Sequence, residues 1–278
     1  MNPHPLRLVA RQELVLAVRS RWTQIFAVVF AALALAVSSS GYVLSGGHGV
    51  QDFARTAASL VQLVLLLVPL TSLVIGVLSL APDRGAAELL FSQPIPRRTI
   101  LLGKLLGLLE ALVAAQALGF GAAGIVIFSR SGPEGVSGFL MLFGASAVLT
   151  AIFLGVAALL AAPAIGRRRT RALALALVVW FAAVILFDVL ALGLASLLPS
   201  GPASRLLIVA VLVNPVDAVR TATLLGIEGA AAFGAASLAF LRFTRGPGGA
   251  AVLLGLSLLL WLVGPTLGAI ERLRRTDV

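Results

Sequence analysis

The sequence predicts an all-α membrane protein with six transmembrane helices, and three observations predict it. Apolar stretches fall near 22–44, 57–81, 99–128, 137–162, 172–197 and 249–270. Each is long enough to span, since ~30 Å of hydrocarbon at ~1.5 Å per residue needs about 20 apolar residues. The composition agrees, with 60% hydrophobic and 12% charged residues, where a soluble domain carries about 25% charged. Mean hydropathy is +1.08. Finally, the basic residues gather at alternate ends of the spans. Most of the 21 Lys and Arg fall in four groups: Arg7 to Arg21, Arg84 to Lys104, Arg167 to Arg171, and Arg272 to Arg275. The others are Arg55, Arg130, Arg205, Arg220, Arg242 and Arg245. Positive residues stay cytoplasmic, so both termini are expected inside. Basic residues at span ends, with none gathered on one face or stripe, argue against nucleic acid despite a net charge of +10.

Taken in order, residues 6–21 have helical period, with Leu8, Val15 and Val18 on one side and Arg7, Arg11 and Arg21 supplying charge. This suits an interfacial helix in the inner headgroup layer. Residues 22–37 also resemble a signal peptide with Ala36-Val37-Ser38 as its cleavage site, but the stretch continues apolar through Leu44, which favours a first span. Loop 82–98 is the most informative polar piece. Asp83 is a candidate N-cap, two or so turns of helix follow, and Pro94 stops them. Glu88 precedes an apolar knob, Leu89-Leu90-Phe91; Pro94 and Pro96 then enforce extended backbone, and Arg97-Arg98 anchor the third span. That span carries Gly103-Lys104-Leu105-Leu106-Gly107, a small-xxx-small face where another helix can come close. Pro69 and Pro265 interrupt the second and sixth spans.

Residues 198–247 form the longest loop, expected outside, with a re-entrant segment between spans five and six. Its apolar run Leu206–Val213 is too short to cross, and Asn214-Pro215 reads as a turn before a helix start. Asp217 and Arg220 are three apart, so on a helix they share a face and can pair. Asn214, Asp217 and Arg220 either present a docking surface to an external partner or brace a re-entrant hairpin. Segment 229–243 is apolar, too short to span, and reads as interfacial or re-entrant. Two carboxylates lie within spans, Glu110 near the bilayer middle and Asp188 towards the outer third. Ionisable groups there are costly and mark a function or a partner. They suit hydrogen bonding between helices or a gating role, with Gln62 and Gln116 as candidate partners.

Much chemistry is missing. Cys is absent and Met and His occur twice each, so no soft-metal relay and no redox chemistry is expected, and no metal site. The Gly103-Lys104 pair lacks the first Gly of a Walker A loop, because Arg98 stands there, so ATP is not expected on this chain. No zinc-protease motif or nucleophile elbow is present. No catalytic residues are assigned.

The stretch Glu88-Leu89-Leu90-Phe91-Ser92-Gln93-Pro94-Ile95-Pro96-Arg97-Arg98, continuing to Leu101-Leu102-Gly103-Lys104, resembles permeases of the type-2 ABC exporter class. Ala10-Arg11-Gln12-Glu13-Leu14 resembles that class's elbow helix. The loop departs from the class at Ala81-Pro82-Asp83-Arg84-Gly85, where Glu is usual. The resemblance implies one permease domain over 1–278, with Glu88, Leu89, Leu90, Phe91, Pro94, Pro96, Arg97 and Arg98 forming a coupling helix against a separate cytoplasmic ATPase. That ATPase, not this chain, would carry ATP and Mg and do the enzymatic work, at a bacterial inner membrane. Phe187-Asp188, Asn214 to Arg220 and Gly226 to Gly229 more narrowly resemble the permeases of nitrous-oxide-reductase maturation. That implies a homodimer, two ATPase copies and a periplasmic copper-handling protein, in a system that assembles a copper site for denitrification. Three other readings stand beside it: an exporter of a drug, lipid or other hydrophobic compound; a membrane enzyme using Glu110 or Asp188; and a scaffold without energy coupling.

Overall fold

In lipid every backbone polar group must be satisfied within its own segment, so long runs of Leu, Ala and Val become helices. A computed structural model describes residues 3–45, 49–81, 95–131, 136–162, 169–229 and 235–275. Helix α1 is Pro3–Arg19 and α2 is Arg21–Ser45, with Ser20 between them. They are followed by α3 (Gly49–Leu80), α4 (Arg97–Ser131) and α5 (Val136–Ala161). The fifth span is α6 (Arg169–Phe181), a π-helical turn at Ala182–Leu186, and α7 (Phe187–Ser196). Next come α8 (Ser200–Val213), α9 (Pro215–Glu228), α10 (Ala235–Phe243) and α11 (Pro247–Arg274).

Six of these segments are long and apolar enough to cross a membrane, and α8 and α9 form a pair bent by 101°. The six spans and the broken segment between the fifth and sixth are therefore where hydropathy put them. Pro69 and Pro265 lie inside α3 and α11 without ending either helix. Segment 229–243 contains only the short α10 among its described residues.

The core lies between α2, α3, α4 and α5. Phe26 and Phe30 of α2 meet Phe120 of α4, which meets Phe139 and Phe143 of α5 edge-on, with ring centroids 5.4–5.6 Å apart. Deeper between α4 and α5, Gln116 Nε2 donates to Thr150 Oγ1 at 2.7 Å and its Oε1 accepts from Ser146 Oγ at 2.9 Å. Gln116 thus satisfies an interhelical polar pair and pairs with neither intramembrane carboxylate, while Gln62 is exposed.

The glycines of the third span have a partner, and it is α1. A Cβ on Gly103 would come within 2.7 Å of Val9 Cβ, and one on Gly107 within 2.3 Å of the Ala10 carbonyl oxygen. The N-terminal helix therefore lies in contact with α4, burying Ala10, Glu13 and Ala17. Those residues are three and four apart, one face of a helix. Leu8, Val15, Leu16 and Val18 are exposed on its other side, the apolar face an interfacial helix would give to lipid.

Candidate functional site

Two constellations of polar side chains stand out, one at each functional segment that the sequence singled out. The first surrounds the stems of loop 82–94, whose Glu88, Leu89, Leu90, Phe91 and Pro94 lie outside the described residues. Pro96, Arg97 and Arg98 are described. The Pro96 carbonyl accepts from Thr99 N at 2.8 Å and Ile100 N at 3.2 Å, opening α4. Glu13, buried on α1, joins both stems. Its Oε2 meets Lys104 Nζ of α4 at 2.8 Å, and its Oε1 accepts from Ser79 Oγ of α3. The segment where the chain leaves α3 and the one where it returns in α4 are thereby fastened to one carboxylate on α1.

Arginines close the same end. Arg169 Nη2 donates to Leu78 O at 3.0 Å, Arg97 Nη1 to Leu273 O at 3.2 Å, and Arg272 Nη1 to Leu159 O at 3.5 Å. Each accepting carbonyl belongs to the last turns of α3, α11 or α5, where helices leave carbonyls unpaired and carry a partial negative charge. The arginines that mark orientation in the sequence are therefore also caps on their neighbours' C-termini.

The second constellation is at the bend between α8 and α9. Asn214 is extended (φ −94°, ψ 119°), and its Oδ1 caps α9 by accepting from Val216 N at 3.1 Å. Its Nδ2 donates to Asp217 Oδ2 at 2.9 Å and to Ala183 O at 2.8 Å. Ala183 lies in the π-helical turn. There the Phe187 N–H bonds Ala182 O, one residue further back than the α-helical partner, Ala183, would be. Arg220 Nη1 lies 3.0 Å from both Asp188 Oδ2 and Asp217 Oδ1. Two carboxylates thus share one guanidinium. From the other side, Ser257 Oγ and Trp261 Nε1 of α11 donate to Leu212 O and Val213 O, at 2.6 and 2.9 Å.

These contacts fix the depth of the bend. Ala183 is ~21 Å along the helix from Arg169 and Trp261 is ~20 Å from Arg274, at ~1.5 Å per residue. The bend is therefore level with the middles of two spans. Irregular backbone is tolerated there only when buried in protein, and Asn214 and Asp217 are buried. A cavity of about 210 Å³ opens beside them, lined by Asp217, Arg220 and Thr221 together with Leu207, Ile208 and Phe240.

Of the expected site residues, Asp188, Asn214, Asp217 and Arg220 are brought into one cluster. Asp217 and Arg220 do pair on one helix face, and Asp188 joins them across helices. Glu110 is not brought to this cluster: it is exposed on α4, with no hydrogen bond among the described residues. Glu13, Ser79 and Lys104 form the site that polarity alone did not reveal, although Glu13 and Lys104 both stand in the motif stretches.

Membrane-length helices, a bent pair between the last two and a basic rim around a short polar loop define a membrane permease. The chain belongs to the ABC-2 family of transporter proteins, whose family model matches residues 7–278. It is 33% identical over 238 residues to a probable ABC transporter permease protein NosY of Pseudomonas aeruginosa, covering 83% of this chain and 86% of that protein. It is 35% identical over 240 residues to the protein so named from Stutzerimonas stutzeri, covering 83% and 85%.

Proposed function

We propose that this chain is the permease of an ABC transporter that converts ATP hydrolysis on a separate cytoplasmic ATPase into motion across the membrane, serving periplasmic copper-site assembly in nitrous oxide reductase. The observation that carries the coupling half is the fastening of both stems of loop 82–94 to α1 through Glu13. A force applied to that loop acts on α1, α3 and α4 together. The copper half is supported by the two NosY relatives and the Asn214 to Arg220 stretch. In this reading the chain transmits motion and binds no metal. The buried side chains of Asn214 and Asp217 brace the bend, so a periplasmic copper-handling partner would read the outer ends of α8 and α9. A second copy of the chain would cover α6 and α7. That span is the most apolar of the six yet only 6% buried, against 50–56% for the second, third and fourth.

Phe91→Ala or Leu90→Asp should detach the ATPase or abolish its stimulated hydrolysis, because truncating a buried anchor costs about 2 kcal/mol or more. The permease itself should stay in the membrane. Normal co-purification and hydrolysis in both variants would defeat the coupling reading. Orientation is tested separately, since the chain has no native Cys. A cysteine replacing Ser200 should react with an impermeant maleimide from outside intact cells, and one replacing Thr170 should not. The reverse labelling would turn the molecule over and remove the ATPase from loop 82–94.

Export of a hydrophobic compound is the second reading. A cavity of about 440 Å³ favours it, lined by Met141, Leu225, Leu241, Leu254 and Leu258 between α5, α9, α10 and α11. Drug or lipid sensitivity on deletion, with normal copper loading of the reductase, would select it.

A further inference from the structure

Beside the Glu13–Lys104 bridge is a cavity of about 300 Å³ whose lining includes Glu13, Ser20, Trp22, Ser79, Lys104 and Arg169. Its place is set by span ends. Ser79 is one residue from the end of α3, Arg169 begins α6, and Lys104 is ~10 Å into α4 at ~1.5 Å per residue. It therefore lies at the boundary between headgroups and hydrocarbon on the arginine-rich side. Its charge is net positive: the Glu13 carboxylate offsets Lys104, and the Arg169 guanidinium remains as excess charge, because its hydrogen bond to Leu78 O is to a neutral carbonyl. Its outer wall is apolar and open, with Trp22 58% and Leu16 56% exposed. Trp at this depth sits where ring meets headgroup.

We propose that this cavity binds the phosphate of an anionic phospholipid headgroup, held by Arg169 and Lys104, with the lipid's acyl chains lying along Leu16 and Trp22. Basic pockets between spans on this side of a membrane are suited to anionic headgroups. The occupant is a lipid and not a free phosphate because the cavity is a half-polar cleft whose open wall is hydrophobic. A soluble anion would gain nothing from Leu16 and Trp22, whereas acyl chains would bury them. The site is built from α1, α3, α4 and α6, so an occupying lipid would also brace the helices that carry the stems of loop 82–94. The proposal does not depend on what the transporter moves.

The test uses the full-length permease, purified in detergent and titrated with phosphatidylglycerol or phosphatidylcholine, with retained lipid counted by native mass spectrometry. Wild type should retain phosphatidylglycerol preferentially. Arg169→Gln should weaken that retention about fivefold, the loss expected for one basic group near anionic lipid, and Arg169→Lys should preserve most of it. Ser20→Asp provides a second route if Arg169→Gln does not fold. It adds negative charge at the cavity while keeping a good capping residue ahead of α2, and it should also lower retention. Equal retention of the two lipids by wild type would overturn the proposal. So would retention unchanged in Arg169→Gln or in Ser20→Asp. Displacement of the lipid by millimolar inorganic phosphate would show that phosphate alone fills the site, and would overturn the lipid assignment.

Discussion

Lys104→Met is expected to destabilise the permease by about 3–5 kcal/mol, the cost of breaking a buried ion pair from one side. Glu13 is 6% exposed, so its carboxylate would have only the Ser79 hydroxyl left to receive its charge. The second variant is the informative one. Glu13→Gln together with Lys104→Met removes the charge as well as its partner, and should recover most of the loss. A neutral amide can still accept from Ser79. Thermal unfolding of purified protein measures both variants, and stimulated ATP hydrolysis reports the consequence for coupling. Equal instability of the single and double variants would mean that the pair itself contributes little, and that α1 is held by its close packing on Gly103 and Gly107 alone. Recovered stability without recovered hydrolysis would assign the bridge to transmission.

Arg220→Leu should be the most damaging substitution in the α8–α9 segment. One guanidinium holds Asp188 and Asp217 together, so removing it leaves two carboxylates facing each other beside a largely apolar cavity. Losing the shared partner of a buried network costs about 3–5 kcal/mol, with like-charge repulsion adding to it. Asp188→Asn changes the same cluster in the opposite electrical sense: Arg220 keeps Asp217, and the excess negative charge disappears. It should be far milder. Abundance of folded permease in membranes, compared between the two variants, reads this ordering. If Asp188→Asn were as damaging as Arg220→Leu, charge balance would not be what holds the bend.

The spans were legible because lipid imposes a rule that leaves its trace in every window of about 20 residues. The pairing of Asp217 with Arg220 was legible for a similar reason, since a three-residue interval on a helix fixes which side chains are neighbours. The Glu13–Lys104 bridge had no such interval. The two residues are 91 positions apart, and their meeting depends on α1 turning back along α4, which the Gly103 and Gly107 stripe permits but does not specify. The depth of the bend was hidden by its own chemistry. Asn, Pro, Asp and Arg in a row suggest an outer loop, and here they are the polar lining that lets broken backbone sit at the level of mid-span residues. Gln116 shows the same limit. Its need for partners was readable, but the choice of Ser146 and Thr150 over a carboxylate was set by how α5 lies against α4.

The π-helical turn in the fifth span separates that helix into two angular registers. A π-turn accommodates one residue more than an α-turn, so the side chains after Leu186 are rotated by about 100° from where a continuous α-helix would carry them. The half before it faces α3, burying Ala172 and Ala176 and sending Trp180 Nε1 to Leu66 O at 3.0 Å. The half after it lies against α8 and aims Asp188 at Arg220. A wheel drawn through the whole span with one period would point one of these halves the wrong way. The length of 182–186, more than the identity of any residue in it, sets the angle between the two faces, so that five-residue apolar segment tolerates exchange of side chains far better than loss of one.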